Sequence, residues 1–129
     1  MSKLTRQDVE TLIEKTRVIL TDFEGMGLNL KGCDLSDADL HGLDLQGACL
    51  ESACLDRANL QGAYLGEANL VNASLVNANL QSADIKKARL DGANLTGANL
   101  KNADIRGASL KSTIITQEQL RSARRYFWQ

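Results

Sequence analysis

The side chains that could do chemistry are few, and their spacing serves none of the usual reactions. The chain has one histidine, His41, and three cysteines, Cys33, Cys49 and Cys54. A zinc site needs four such ligands, typically in closely spaced pairs, and no Cys or His pair has that spacing. Carboxylates gather as Asp34, Asp37 and Asp39, and recur as Asp84 and Asp104. General acid–base work needs a cleft that shifts pKa values, so these acids count only if the fold builds one. No glycine motif of the phosphate-binding kind is present. The residues therefore point to no enzyme, no metal and no cofactor.

The elements that must carry these residues follow from a period of five. From Leu30 to Leu110 every fifth residue is Leu, except Ile85 and Ile105, which makes seventeen consecutive positions; Ile115 extends the frame. We name this position i. At i−2, fourteen of the seventeen are Ala, the exceptions being Leu28, Cys33 and Leu43. An α-helix turns about 500° in five residues, so successive leucines would sit about 140° apart and form no face. In an extended segment i−2 and i share a side, one small and one large apolar group aimed at a common interior. Position i−1 then points outward, and i+1 and i+2 turn a corner. Gly32, Gly42, Gly47, Gly62, Gly92, Gly97 and Gly107 stand at i+2, with Asn72, Asn77 and Asn102, as positive φ requires. Proline, which would remove a ladder donor, is absent.

Such sides wind into a solenoid whose coils pair in parallel. A fainter repeat points to four sides per coil: Ala58-Asn59-Leu60-Gln61 returns as Ala78-Asn79-Leu80-Gln81, twenty residues on. On this frame Cys33 points inward, while Cys49 and Cys54 lie on neighbouring faces and point apart, which disfavours a disulfide. An odd number of cysteines without a preceding signal segment fits a reducing cytoplasm. No apolar run approaches the length of a membrane span.

Units such as Ala93-Asn94-Leu95-Thr96-Gly97 and Ala98-Asn99-Leu100-Lys101-Asn102 resemble the A(D/N)LXX consensus of the pentapeptide-repeat family, over about residues 28–115. The resemblance implies an all-β solenoid, a right-handed quadrilateral parallel β-helix of about four coils. We expect an N-terminal helical cap over 1–24, the β-helix over 25–115, and a C-terminal helix over 116–129, in one structural domain. Thr5 followed by Asp8 reads as a helix start, and Val9, Leu12, Ile13, Thr16 and Leu20 recur at helical spacing. The predicted helix runs from Arg6 to Leu20 and caps the first coil, toward which Leu28 and Leu43 pack. Thr116 and Gln119 form a capping-box pattern before a second helix. Its Leu120, with Phe127 and Trp128 near the chain end, covers the last coil or forms a homodimer contact, a role that C-terminal segments have in some family members.

The function implied is a protein-interaction or scaffold module in a bacterial cytoplasm, with an unknown protein partner, and neither nucleic acid nor membrane. Residues 1–69 hold twelve acids and six bases, whereas residues 70–129 hold four acids and nine bases. The shaft is thus acidic at one end and basic at the other. Lys86, Lys87, Arg89, Lys101 and Arg106, with outward Tyr64, Val71 and Val76, make up the candidate interaction surface. The alternative the resemblance offers is a DNA mimic acting on DNA gyrase or topoisomerase IV. Short length, near-neutral charge and Leu in place of a central Phe oppose it.

Overall fold

The computed structural model describes residues 2–20 and 27–123. Two helices, α1 (Arg6–Leu20) and α2 (Gln117–Ser122), flank a shaft made of short extended sides. Among the described residues fourteen parallel bridges each join residues twenty apart, in four series whose first described members are Asn29, Asp34, Asp39 and Asp44. We call these the first to fourth faces. The bridging residues are those at i−1, so every rung places like positions above one another. Backbone bonds tie the rungs together: Leu60 N–H donates to the Asn79 carbonyl at 2.8 Å, Gly62 N–H to Gln81 at 2.9 Å, and Asn79 N–H to Ala58 at 2.9 Å.

The interior is the predicted one. Leu30 through Leu100 and Ile85 are buried in one continuous core, together with Ala48 through Ala103 at i−2. Each fully buried Leu contributes about 1.5–3 kcal/mol, which offsets the chain entropy lost in holding its side of the coil. The alanines mark where the lumen is too narrow for more. Leu28 and Leu43, the bulky exceptions, are buried near the α1 end, where Leu43 contributes to the groove beside Gln7 and Ile13.

The corners are more demanding than the sequence implied. All seventeen i+2 residues from Gly32 to Ser112 have positive φ, between 55° and 73°. Seven are glycine; the others include Asp37, Ser52, Arg57, Glu67, Ser82, Lys87 and Ser112, which the composition of the corners did not flag. A side chain in this region costs about 1–2 kcal/mol. Each corner is closed by a hydrogen bond from i+3 to i, such as Ala63 N–H to Leu60 at 3.0 Å. Where i−1 is Asn or Asp, the corner is braced from there as well: the Asn59 carboxamide oxygen accepts Gln61 N–H at 3.1 Å, as Asn79 does for Gln81 and Asn99 for Lys101. This is the reason for Asn or Asp at i−1. Where Ser replaces them, an acid from the rung below takes over. Asp56 accepts from Ser74 and from Val76 N–H, and Asp91 from Ser109 and Lys111 N–H.

Both ends are closed by groups standing in for a missing coil. At the start, Lys3 bridges Asp34 in parallel and Leu4 N–H donates to the Asp34 carbonyl at 2.8 Å, the register of a central leucine. Residues 2–4, read from sequence as outside the repeat, thus add a rung to the second face. On the third face the Arg6 guanidinium donates to the carbonyls of Asp39 and His41, at 3.2 and 3.0 Å. Thr5 and Asp8 cap α1 reciprocally, and Val9 is fully buried against the core with Leu4, Leu12 and Ile13 packed beside it. At the far end Gln119 acts twice. Its carboxamide oxygen accepts Thr116 N–H in a capping box, and its Nε2 donates to the carbonyls of Leu95 and Ala98, at 2.6 and 3.0 Å.

Two substitutions test this packing. Ala83→Leu should destabilise the shaft by about 1–3 kcal/mol in chemical denaturation, because the lumen has no room. Gln119→Ala should cost about 1–3 kcal/mol by leaving the Ala98 carbonyl unpaired. An outward change such as Asn99→Ser, which keeps a local acceptor, should stay near 0.5 kcal/mol.

Candidate interaction surface

The residues with reactive side chains are absorbed by structure. His41 Nδ1 lies 2.7 Å from the Asp39 carboxylate, and this pair sits beside Arg6, which also binds Glu10 at 2.9 Å. The hydrogen bond from His41 holds the Asp39 carboxyl below its usual range. Asp37 is gripped by Arg57 through two contacts, at 2.8 and 3.1 Å, and by Lys3 at 3.0 Å. Arg57 first, then Lys3, hold its carboxyl far below the ordinary value. Asp34 is lowered by the hydroxyl and N–H of Ser36. Asp84 and Asp104 occupy successive rungs of the fourth face, but each is tied to its own corner. Asp84 accepts Lys86 N–H at 3.1 Å, and buried Asp104 is clamped by Arg106 at 3.0 and 2.9 Å. Burial opposes ionisation of Asp104, yet the Arg106 bonds outweigh it and its carboxyl is lowered. These acids brace turns and form ion pairs, with the side chains of Asp37 and Asp39 still about half exposed to solvent. The three cysteines are free and half-buried, and among the described residues no group of His, Cys, Asp and Glu is placed to hold a metal ion.

What remains is surface. The predicted contact residues do not form one patch. Tyr64, Lys86, Lys87 and Arg106 meet along the fourth face and the edge that follows it. Lys86 and Arg106 are consecutive in one corner column, linked through Lys87 N–H to the Arg106 carbonyl at 2.9 Å. Tyr64 lies in the fourth-face ladder between Asp44 and Asp84, and is 53% exposed. Lys101 stands at the opposite edge of that face, and Arg89 lies around the corner in the first-face ladder between Asn69 and Ser109. Val71 and Val76 occupy the other two edges and are half-buried, so they offer little. Ile114, 56% exposed, was not anticipated.

One residue joins the cluster that sequence reasoning passed over. Gly66 interrupts the column Gln46–Gly66–Lys86–Arg106 and leaves a depression of about 310 Å³, lined by Gln46, Gly66, Glu67, Asp84, Lys86 and Lys87. Its φ is not positive, and a Cβ there would sit 3.6 Å from the Lys86 carbonyl, an ordinary contact. The turn does not require this glycine. The signal was available: Gly66 stands at i+1, whereas every other glycine between Leu28 and Ile115 stands at i+2.

Of the tail residues, Leu120 is half-buried on α2, whereas Phe127 and Trp128 lie outside the described residues, as do Arg124, Arg125 and Tyr126. Among the described residues no helix is long and apolar enough to cross a membrane.

A parallel β-solenoid with a five-residue period defines the class of protein. The family model for pentapeptide repeats matches residues 27–57, 53–92 and 79–117, and the chain belongs to that family. Among solved structures it is similar to a pentapeptide repeat protein from the Arabidopsis thaliana thylakoid lumen, with 36% identity over 67% of this chain and 64% of that one, and a TM-score of 0.61. It is also similar to HetL, a pentapeptide repeat protein involved in heterocyst differentiation regulation in the cyanobacterium Nostoc, with 39% identity over 66% of this chain and 46% of that one, and a TM-score of 0.56. The trypsin-treated fluoroquinolone resistance protein QnrB1 matches at 25% identity over 71% of this chain and 49% of that one, with a TM-score of 0.61. The chain spans less than two thirds of each of these relatives. No curated protein matches it.

The lowered carboxyls set the response to acid. Their depressed folded-state values mean that the stability they contribute is present above the ordinary value of 3.8 and is lost as pH falls below it. The melting temperature should be flat above about pH 5 and fall below about pH 4, and Asp37→Asn should reduce that acid loss.

Proposed function

We propose that this chain is a non-enzymatic interaction or scaffold module, shaped as a right-handed, four-sided β-helix of about four coils. The observation that carries the reading is the cluster on the fourth face. An exposed aromatic, Tyr64, pairs in the ladder with Asp84, which with Glu67, Lys86 and Lys87 lines the depression at Gly66 on an otherwise regular shaft. Aromatic anchors and pockets concentrate binding energy, whereas flat polar ladders do not. Lys101 and Arg89 extend the positive field at the two edges of this surface and speed encounter with an acidic protein. The same family includes HetL, which takes part in regulation and is 39% identical over 66% of this chain. Three free thiols fit a reducing compartment such as the bacterial cytoplasm. The half-buried Leu120, followed by Phe127 and Trp128, supports a homodimer through the C-terminal segment as a secondary contact.

The likeness to a fluoroquinolone resistance protein favours a second reading, a DNA mimic at gyrase or topoisomerase IV. The basic second half has the wrong sign for imitating phosphates. Protection of gyrase supercoiling from a quinolone would be required to sustain it.

The test is an affinity pull-down from native lysate with three baits: the native chain, Gly66→Gln, and a chain with Lys86 and Lys87 reversed in charge. A partner held by the native chain and lost from both variants, each melting normally, is the expected result. A partner retained equally by all three would contradict the surface; an empty native bait would favour self-assembly or a purely structural role.

A further inference from the structure

The N-terminal strap carries an inference beyond the fourth-face surface. Inside the shaft a rung cannot leave without unwinding a coil, because bridges link residues twenty apart along a continuous path. The strap differs: Lys3 pairs with Asp34, thirty-one residues on, so residues 2–6 can detach while the repeat stays wound. Among the described residues its backbone makes one bond to the shaft, from Leu4 to Asp34, where each internal unit makes several; the rest of its hold comes from the side chains of Lys3 and Arg6. Leu4 is only half-buried, and the Lys3–Asp37 ion pair is half-exposed on both sides. A depression of about 290 Å³ runs beside it, between Leu4, Thr5 and Arg6 on one side and Ser36, Asp37 and Asp39 on the other.

The seat beneath the strap is specific. It offers a backbone carbonyl at Asp34 for strand pairing, an apolar contact for one central side chain, a carboxylate at Asp37, and two carbonyls, of Asp39 and His41, that accept a guanidinium. In this chain Lys3, Leu4 and Arg6 fill those places. We propose that the strap masks a docking site for an extended basic segment of another protein, with lysine, an apolar residue, one further residue and arginine in sequence. Such a segment adds a strand to the exposed edge, and its main-chain bonds supply affinity while the charges supply register. The acidic balance of residues 1–69 draws a basic partner to this end. Because the strap competes from within the same chain, at an effective concentration on the order of millimolar, it lowers the apparent affinity until it is displaced.

The experiment uses the full chain and a fluorescent synthetic peptide of residues 2–15, read by anisotropy. The native chain should bind it weakly, Leu4→Asp at least ten-fold more tightly, and Leu4→Asp with Asp37→Lys no better than native. A Leu4→Asp chain that melts like the native shaft yet binds the peptide no better overturns the proposal. Should Leu4→Asp impair the shaft, Lys3→Glu with Arg6→Glu releases the strap by charge alone, and the same two outcomes decide. Sedimentation of the native chain adds a further arm: a concentration-dependent dimer dissolved by the peptide would make the occupant the strap of a second copy, and would overturn a separate partner.

Discussion

The structure depends on the width of its own lumen. From Ala48 to Ala103 each side of the coil admits one Leu or Ile and one Ala, and no more. That limit sets the five-residue period, because three extended residues present the two inward groups and two residues turn the corner. It also sets the corner geometry. A short side must bend sharply at both ends, and the bend demands positive φ even at Glu67 and Lys87, where the side chain resists it. The strain persists because every corner is held by its own turn bond and by bonds to the neighbouring rungs.

A stack of this kind has no sheet edge along its length but two at its ends. The protein solves each end with a side chain that imitates backbone donors. Arg6 supplies two N–H bonds where the third face lacks a coil beneath it, and Gln119 supplies two where it lacks one above. Both residues also belong to short helical segments that pack on the ends, so capping by helix and capping by hydrogen bond are one device. The ends are also where sequence variety concentrates, since the interior allows so little.

Much of this was legible in the sequence because the repeat repeats its physics. Leu60, Leu80 and Leu100 announce the core, Ala58 and Ala78 its narrowness, and Val9 with Ile13 the face of α1. The side-chain brace at i−1 was not legible: Asn59 looks like any outward polar residue until its carboxamide is seen to close the corner at Gln61. The strap was hidden because Lys3 and Leu4 join the ladder out of frame, across a helix and a connecting segment. The ion pairs of Asp37 were not legible because Lys3 and Arg57 are remote from it in sequence. Gly66 was visible as a departure from the frame, but its meaning depends on the neighbours that the column brings to it.

The central claim is the register of the stack, and scalar couplings across hydrogen bonds measure it in solution. In an isotopically labelled sample, couplings should link the Leu60 amide nitrogen to the Asn79 carbonyl carbon and the Asn79 amide nitrogen to Ala58. The same pattern should recur around all four faces. These partners lie 19 and 21 positions away; couplings shifted five positions shorter or longer would mean three or five sides to the coil. They would contradict the lumen, the corner columns and the surface derived from them.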